Sequence, residues 1–210
     1  MFTGRANVNG VTLYKWILLA TTGADQDLTA MINIEVPESA LSVYSDAVVR
    51  KALASVTFRP TPVDEQLGLL PFKLGDLAGF RVLKVSPAGG VILIEGPGED
   101  LNRQPYVIVS IGRGAPERPD DRPRFARDLL STAPLRGVTI QSADAMRIGG
   151  TPGYEIRAQA EGAKGEQLMV AQWLRFAGSN FLRIMGVGRK EEWDALFTRF
   201  RAVRDGVEIR

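Results

Sequence analysis

Residues 181–203 decide the fold, and they read FLRIMGVGRKEEWDALFTRFRAV. Phe181–Val187 is mostly apolar and predicts a buried strand. The following residues predict a helix from Lys190 to about Val203, because apolar side chains recur there at three- and four-residue steps. That stripe consists of Trp193, Leu196, Phe197, Phe200 and Val203.

Burying one such side chain contributes about 1.5–3 kcal/mol, so the whole stripe is worth on the order of 10 kcal/mol. A typical domain has a net stability of only ~5–15 kcal/mol. The stripe is therefore expected to pack against a sheet, and it is not free to stack on nucleic-acid bases.

The sequence before this stretch predicts the sheet. Tight turns separate a series of apolar segments, which is typical of antiparallel strands. A helix from about Arg122 to Thr132 interrupts the series, with Phe125, Leu129 and Leu130 predicted to face inward. The predicted strands are Leu67–Leu74, Phe80–Val85, Val91–Glu95, Tyr106–Ile111 (buried on both sides), Val138–Ile148, Tyr154–Ala160 and Leu168–Phe176.

The first sixty residues predict a smaller unit. Asn9-Gly10 favours a type I′ turn. It is followed by a strand at Val11–Ala20 that is apolar enough to be buried on both faces. A polar turn at Thr21–Asp27 and a strand at Thr29–Val36 come next. An amphipathic helix over residues 38–56 then presents one stripe, formed by Leu41, Tyr44, Val48, Ala52 and Val56.

Pro60 and Pro62 indicate a linker after that helix. We therefore expect two domains: residues 1–60 as a β-hairpin plus helix half-module, and residues 61–210 as a complete α+β module. The half-module also matches part of the second domain, because Gly10 and Tyr14 align with Gly150 and Tyr154. One explanation is an internal repeat that covers residues 8–58, and the other is chance likeness between two hairpin–helix units.

Several segments of the second domain together form a recognisable pattern. They are Val91–Ile94, Phe125–Leu130, the Ile148–Tyr154 turn, Phe181–Gly186 and the helix that contains Trp193. Through them the sequence from about residue 62 to residue 210 resembles the PsbP-like fold family, which includes the photosynthetic oxygen-evolving accessory proteins, the Ran-release factor Mog and the DcrB-type lipoproteins. The resemblance implies an antiparallel β-sheet flanked by amphipathic helices, with an accessory or binding role and no shared catalytic residue.

The composition excludes several kinds of chemistry. The chain has no cysteine and no histidine, so disulfides, thiol catalysis, imidazole bases and zinc-finger ligation are ruled out. Its 26 basic and 24 acidic residues are interspersed and give a formal charge of +2, which does not indicate a nucleic-acid partner. We expect no catalytic residue, no cofactor, no metal and no membrane span.

The segment Gly112–Arg124 is the most unusual in the chain. Its four arginines, Arg113, Arg118, Arg122 and Arg124, could bind an acidic protein partner through bidentate contacts. The alternative is a solvated loop whose charge is largely neutralised by Glu117, Asp120 and Asp121.

These observations predict a non-enzymatic bacterial accessory or binding protein that is exported to the periplasm or another extracytoplasmic space. The export signal is then expected upstream of residue 1. The half-module leaves a sheet edge without a neighbour, so we expect a homodimer or completion by the second module. The alternatives are a hydrolase or transferase that uses carboxylates, Ser and Arg alone, and a structural partner in a self-assembly. Two convergent buried acids in a deep pocket would favour the enzyme.

Overall fold

A computed structural model describes residues 1–21, 29–59, 61–86 and 88–210. The chain divides into two compact units, Met1–Pro60 and Thr61–Arg210. Every paired strand in both units is antiparallel. The predicted α+β fold class with an antiparallel sheet is confirmed.

The first unit contains a three-stranded sheet in the order β1 (Phe2–Val8), β2 (Val11–Thr21) and β3 (Thr29–Pro37). Asn9 and Gly10 both have positive φ angles, 50° and 82°, as a type I′ turn requires. The strand before this turn was not predicted, because its sequence FTGRANV has little apolar alternation.

The long helix predicted over residues 38–56 is wrong. A 3₁₀ turn occupies Glu38–Ala40, and the helix α1 spans only Asp46–Ala54. It begins there because Ser45 is extended and its hydroxyl accepts a hydrogen bond from the Val48 amide at 3.4 Å. This shift in phase buries Val49 and Leu53, whereas Tyr44 and Val48 of the predicted stripe are exposed.

The prediction that β2 is buried on both faces is also wrong. Trp16 is buried in the small core beneath α1, together with Val36. Val11 and Leu19 are exposed because, within residues 1–21 and 29–59, no helix covers the opposite face of this sheet. The turn predicted at Thr21–Asp27 lies outside the described residues apart from Thr21.

The second unit begins with a helix that was not predicted and that includes the first two residues of the predicted strand Leu67–Leu74. Val63–Gly68 forms α2, with Pro62 at its N-cap and two acidic residues in its first turn, which favours a helix start. Only Phe72–Leu74 of the predicted Leu67–Leu74 strand is extended. This strand, β4, pairs with the C-terminal strand β12 (Val207–Ile209), which the sequence analysis did not predict.

The large sheet of the second unit has seven strands in the order β5-β6-β7-β11-β10-β9-β8. The predicted strands from Phe80 onward are confirmed within a few residues at each end. Their bounds are β5 (Arg81–Ser86), β6 (Gly90–Ile94), β7 (Tyr106–Arg113), β8 (Arg136–Ile148), β9 (Thr151–Glu161), β10 (Gln167–Ala177) and β11 (Asn180–Arg189).

Two helices cover opposite faces of this sheet. The helix α4 (Trp193–Asp205) buries Leu196, Phe200 and Val203 against Trp173 and other apolar side chains of what we call the α4 face. The predicted packing of this stripe on a sheet is confirmed. Gly186 permits the close approach, since a Cβ there would lie 2.6 Å from the Phe200 ring.

The helix α3 (Arg122–Ser131) lies on the other face, which we call the α3 face. Ala126 and Leu130 are buried against side chains such as Ile156 and Leu174. The helix bounds agree with the prediction, and Phe125 and Leu129 are partly buried as expected.

Candidate functional site

Glu155 is the single buried carboxylate in the described part of the chain. Its Oε2 accepts a hydrogen bond from Trp173 Nε1 at 2.5 Å, and its Oε1 accepts one from Arg157 Nε at 2.7 Å. Arg204 Nη1 of α4 lies 3.8 Å from Oε2, and the same guanidinium binds Asp205 through two hydrogen bonds. Because each oxygen already has a partner within the chain, this acid contributes to the contact between the sheet and α4.

A cavity of about 350 Å³ lies at one end of the seven-stranded sheet. It is formed by the first residue of β7, the first residues of β8 and β10, and the last residues of β9 and β11, together with the segments before β7 and β8. Its apolar side chains belong to the α3 face, since Tyr106, Leu168 and Val187 pack in the same cluster as Leu130. The cavity is therefore built wholly from the second unit.

Arginines line the entrance to this cavity. Arg136 and Arg189 are exposed, and neither side chain makes an ion pair or a hydrogen bond with a described residue. Arg103 is partly neutralised by Asp100, at 3.3 Å between Arg103 Nε and Oδ2. The lining contains one carboxylate, the exposed Glu161. The entrance therefore carries an excess of positive charge.

Glu166 lies close to this entrance but is already bound. Backbone amides, its own and that of Lys164, hold the pKa of the Glu166 carboxyl below its usual value of 4.5, with smaller contributions from the charges of Lys164 and Arg189. Its Oε2 accepts a hydrogen bond from the Lys164 amide at 2.9 Å. This carboxylate therefore stays charged at neutral pH without making an ion pair of 4 Å or less to Arg189.

The inner wall of the cavity is apolar, with Leu101, Leu135, Leu168 and Val187 in the lining. Tyr106 lies there with only 8% of its surface exposed. Its hydroxyl makes no hydrogen bond to a described residue, and burial raises the pKa of the Tyr106 phenol above its usual value of 10. The cavity thus combines an apolar wall, a protonated phenol and an arginine-rich entrance.

The predicted loop has a different arrangement from a four-arginine clamp. Arg113 and Arg118 are exposed, while Arg124 forms an ion pair with Asp128 of its own helix at 3.7 Å. Arg122 is half-buried, with its guanidinium carbon 4.7 Å from the centre of the Phe176 ring. The loop is anchored where Ala115 and Gly114 donate backbone hydrogen bonds to Ser179.

A second cavity, of about 460 Å³, lies in the first unit and is more open. Its one acidic lining residue is Asp46, which accepts hydrogen bonds from Trp16 Nε1 at 2.8 Å and Arg50 Nε at 2.6 Å. The hydrogen bond from Arg50, followed by that from Trp16, lowers the pKa of the Asp46 carboxyl below its usual 3.8. Because these partners occupy the acid, we regard the cavity of the second unit as the stronger candidate site.

This site was not predicted from the sequence. Its polar residues come from strand ends that are far apart in the chain, and no motif links them. In the described residues no group of three or more acidic side chains could hold a metal ion. In the same residues, no helix is long and apolar enough to span a membrane.

Solved structures share the fold of this chain. LpqN from Mycobacterium tuberculosis, described as involved in cell envelope biogenesis, superposes with a TM-score of 0.53 at 18% identity, covering 66% of this chain and 82% of LpqN. The fold is PsbP-like. No protein-family model matches the sequence, and neither does any curated protein.

Two further structures match over larger parts of the chain but superpose less well. The cyanobacterial PsbP protein CyanoP from Synechocystis has 12% identity and a TM-score of 0.43, covering 75% of this chain and 99% of its own. PA94 from Pseudomonas aeruginosa, a protein of unknown function, has 12% identity and a TM-score of 0.44, covering 92% and 97%. At these identities the likeness concerns the fold alone.

Proposed function

We propose that this chain is a non-enzymatic accessory or binding protein and that its second unit holds a ligand in the cavity at the end of the sheet. The observation that carries the proposal is the lining of that cavity. Arg136, Arg189 and the Tyr106 hydroxyl are left without partners by the described residues, beside an apolar wall. Cavities with an apolar wall and a few convergent polar groups are typical ligand sites.

The same lining supports binding over the alternative of a carboxylate-based hydrolase or transferase. Acid–base chemistry on two carboxylates needs both groups to converge on the reacting bond. The cavity contains one acid, Glu161, which is exposed. The buried acid, Glu155, belongs to the α4 face and is bound by Trp173 and Arg157.

An extracytoplasmic location remains part of the proposal. The fold likeness to LpqN, described as involved in cell envelope biogenesis, is consistent with it. We propose that this chain likewise acts outside the cytoplasm. Fractionation of cells that express the natural gene, with the protein appearing only in the cytoplasm, would contradict this part.

We also propose that a protein partner binds at the loop 112–124, mainly through Arg113 and Arg118, which are exposed. The other two arginines are less available, because Arg122 packs on Phe176 and Arg124 pairs with Asp128. The homodimer through the first unit is proposed on the exposed apolar face of its sheet, where Met31 is 70% exposed. Light scattering that gives a clean monomer would remove the homodimer.

The cavity is tested by ligand-induced stabilisation. A ligand that binds only the folded chain raises its melting temperature. We expect members of a chemically diverse small-molecule set to stabilise the natural chain but not Ala163→Trp, in which an indole fills the entrance. Ala177→Trp, at another exposed site on the second unit, is the matched control and retains the effect.

Mass spectrometry of each stabilising ligand then distinguishes binding from turnover. Recovery of the ligand unchanged after long incubation is the expected result. Conversion of the ligand at a rate that falls in Glu161→Gln would instead establish the enzyme. Stabilisation that survives in Ala163→Trp would place the binding site elsewhere.

A further inference from the structure

We infer that the cavity at the end of the large sheet binds a small amphipathic anion, with a carboxylate or phosphate head joined to an unbranched apolar body. This inference rests on the proposed function, because it names the ligand class of the same site. It follows from the charge of the entrance, the donors that the lining provides, and the apolar wall.

The head is assigned to Arg136 and Arg189. Both belong to strand ends at the entrance, Arg136 at the start of β8 and Arg189 at the end of β11. An arginine presents several N–H donors in a planar fork that matches carboxylate and phosphate oxygens. Neither guanidinium has an acidic partner within 4 Å among the described residues, so an incoming anion does not have to displace one.

The acidic side chains near the entrance do not pair with Arg136 or Arg189 in place of an anionic ligand. Asp100 pairs with Arg103, and Glu166 accepts hydrogen bonds from backbone amides. Glu161 lies over Gly137, where a Cβ would be 3.3 Å from the Glu161 carboxyl carbon, and makes no ion pair of 4 Å or less to a described residue. A cationic ligand would therefore find one exposed carboxylate against three arginines.

Tyr106 provides a donor deeper in the cavity. Since burial raises the pKa of its phenol, the hydroxyl stays protonated at neutral pH and can donate to an anionic oxygen. This hydroxyl makes no hydrogen bond to a described residue, although the side chain as a whole is almost fully buried. The hydroxyl oxygen is not among the buried polar atoms that lack a partner, so it is open to the cavity, and the oxygen of a bound anion can accept its hydrogen bond.

The body of the ligand is assigned to the wall formed by Leu101, Leu135, Leu168 and Val187. A cavity of about 350 Å³ falls at the lower end of the range for small-molecule sites. It suits a single medium-length alkyl chain better than a multi-ring compound. Burying such a chain is the main source of affinity, and the arginines select for charge.

The inference is tested by isothermal titration calorimetry on the full chain. Decanoate and decyl phosphate, both kept below their micelle-forming concentrations, provide the two anionic heads. Decanol and decylamine have the same alkyl chain with a neutral and a cationic head, and inorganic phosphate provides a head without a chain. We expect both anionic compounds to bind at least tenfold more tightly than decanol, and neither decylamine nor phosphate to bind measurably.

The variants assign the binding to the named residues. Replacing a donor to a charged group weakens binding by about tenfold, so Arg136→Gln with Arg189→Gln is expected to weaken decanoate binding by about a hundredfold. Arg127→Gln removes an equally exposed arginine of α3 outside the lining and should leave binding unchanged. Tyr106→Phe should weaken decanoate binding severalfold and leave decanol binding unchanged.

The outcomes separate this inference from the proposed function. Equal binding of decanol and decanoate, or decanoate binding that survives the double arginine substitution, would overturn the ligand class. The ligand class would also be overturned if neither decanoate nor decyl phosphate bound while other compounds stabilised the natural chain but not Ala163→Trp. In that case the proposed function would still hold. Failure of every compound in both experiments would overturn both proposals.

Discussion

The two faces of the seven-stranded sheet differ in how many of their arginines are paired with carboxylates. On the α4 face Arg157, Arg199 and Arg204 each have a carboxylate partner within the chain. Each of the three also lies over an aromatic ring, at 4.2 to 5.3 Å from guanidinium carbon to ring centre. These charges are neutralised by the protein, and the contacts connect α4 to the sheet and to the loops beside it.

Several arginines of the α3 face have no carboxylate partner among the described residues. Arg122 and Arg183 each have a buried Nε without a hydrogen-bond partner in that part of the chain, as Arg175 does on the α4 face. Arg136 and Arg189, at the cavity, have no acidic partner there either. Burial lowers the pKa of the Arg183 guanidinium, which shows that this charge is held at a cost in solvation.

Both faces carry a buried apolar core, so the difference concerns the charges: paired arginines contribute to the fold, and unpaired arginines are available for recognition. Charges that are paired inside the chain contribute to the position of a helix but offer nothing to a ligand. Charges that lack partners lower stability and leave donors for a molecule from outside. Such local costs are common where a protein keeps a site ready for binding.

The largest loss of stability is expected from removing an aromatic side chain in the core of the α4 face. Phe200 is fully buried and stacks on Phe80 with ring centres 5.6 Å apart. Phe200→Ala is expected to lower the free energy of unfolding by about 3–5 kcal/mol. Urea denaturation followed by tryptophan fluorescence measures it, since Trp173 and Trp193 lie in the same cluster.

Phe125→Ala on α3 is the matched substitution for that experiment. Phe125 contacts Phe181 and Phe176 but is only partly buried, so its loss should destabilise the second unit less. An equal or larger effect for Phe125 would contradict the expectation that the fully buried ring contributes more to stability than the partly buried one.

The second prediction compares two arginines. Arg204 is buried, binds Asp205 through two hydrogen bonds and lies 3.8 Å from Glu155. Arg204→Met leaves the buried Glu155 with less compensation and is expected to cost about 3 kcal/mol, since removing one member of a buried pair costs several kcal/mol. Thermal unfolding monitored by circular dichroism measures the change.

Arg183→Met is the counterpart on the α3 face. Its guanidinium lies near Met185, with Nη2 3.5 Å from the Met185 sulfur, and no described carboxylate pairs with it. Replacing an unpaired, partly buried charge with an apolar side chain of similar length should leave stability unchanged or raise it by about 1 kcal/mol. A loss as large as that of Arg204→Met would mean that Arg183 has a stabilising role that its contacts do not indicate.

Much of the second unit could be predicted because its signals are local. The strands of the sheet, the helix α3 and the α4 stripe all follow from apolar periodicity and turns between neighbours in sequence. The helix over residues 38–56 could not be placed correctly. A single cap at Ser45 restarted it and changed which side chains face inward, so that Val49 and Leu53 form the core.

The cavity could not be predicted, because it depends on the order of strands in space. The start of β7, the start of β8 and the end of β11 meet only because β11 lies between β7 and β10. Tyr106 and Arg189 are then brought to the same end of the sheet although many residues separate them. The loop Gly112–Arg124 was predicted as the binding site instead, because its four arginines are concentrated in one segment.

The smallest expected effect is on the titration of Tyr106, whose hydroxyl makes no hydrogen bond to a described residue. Burial raises the pKa of Tyr106 above 10, so the folded chain holds this proton at a pH where the unfolded chain releases it. Well below pH 10 the phenol is neutral in both the folded and the unfolded chain, so its titration does not affect the free energy of unfolding. As the pH rises from 10 to the higher pKa of the folded chain, the free energy of unfolding falls. The fraction of tyrosine absorbance that titrates last should disappear in Tyr106→Phe.

The same substitution should also remove part of the loss of stability at high pH, with no change at neutral pH because the hydroxyl bonds to nothing in the described chain. Saturation with decanoate gives the sharper result. A carboxylate beside the phenol disfavours the phenolate further, so it should move the last titration step to still higher pH. A step that stays in place when ligand is bound would mean that the anion does not reach Tyr106, and that this hydroxyl is unpaired for a reason other than recognition.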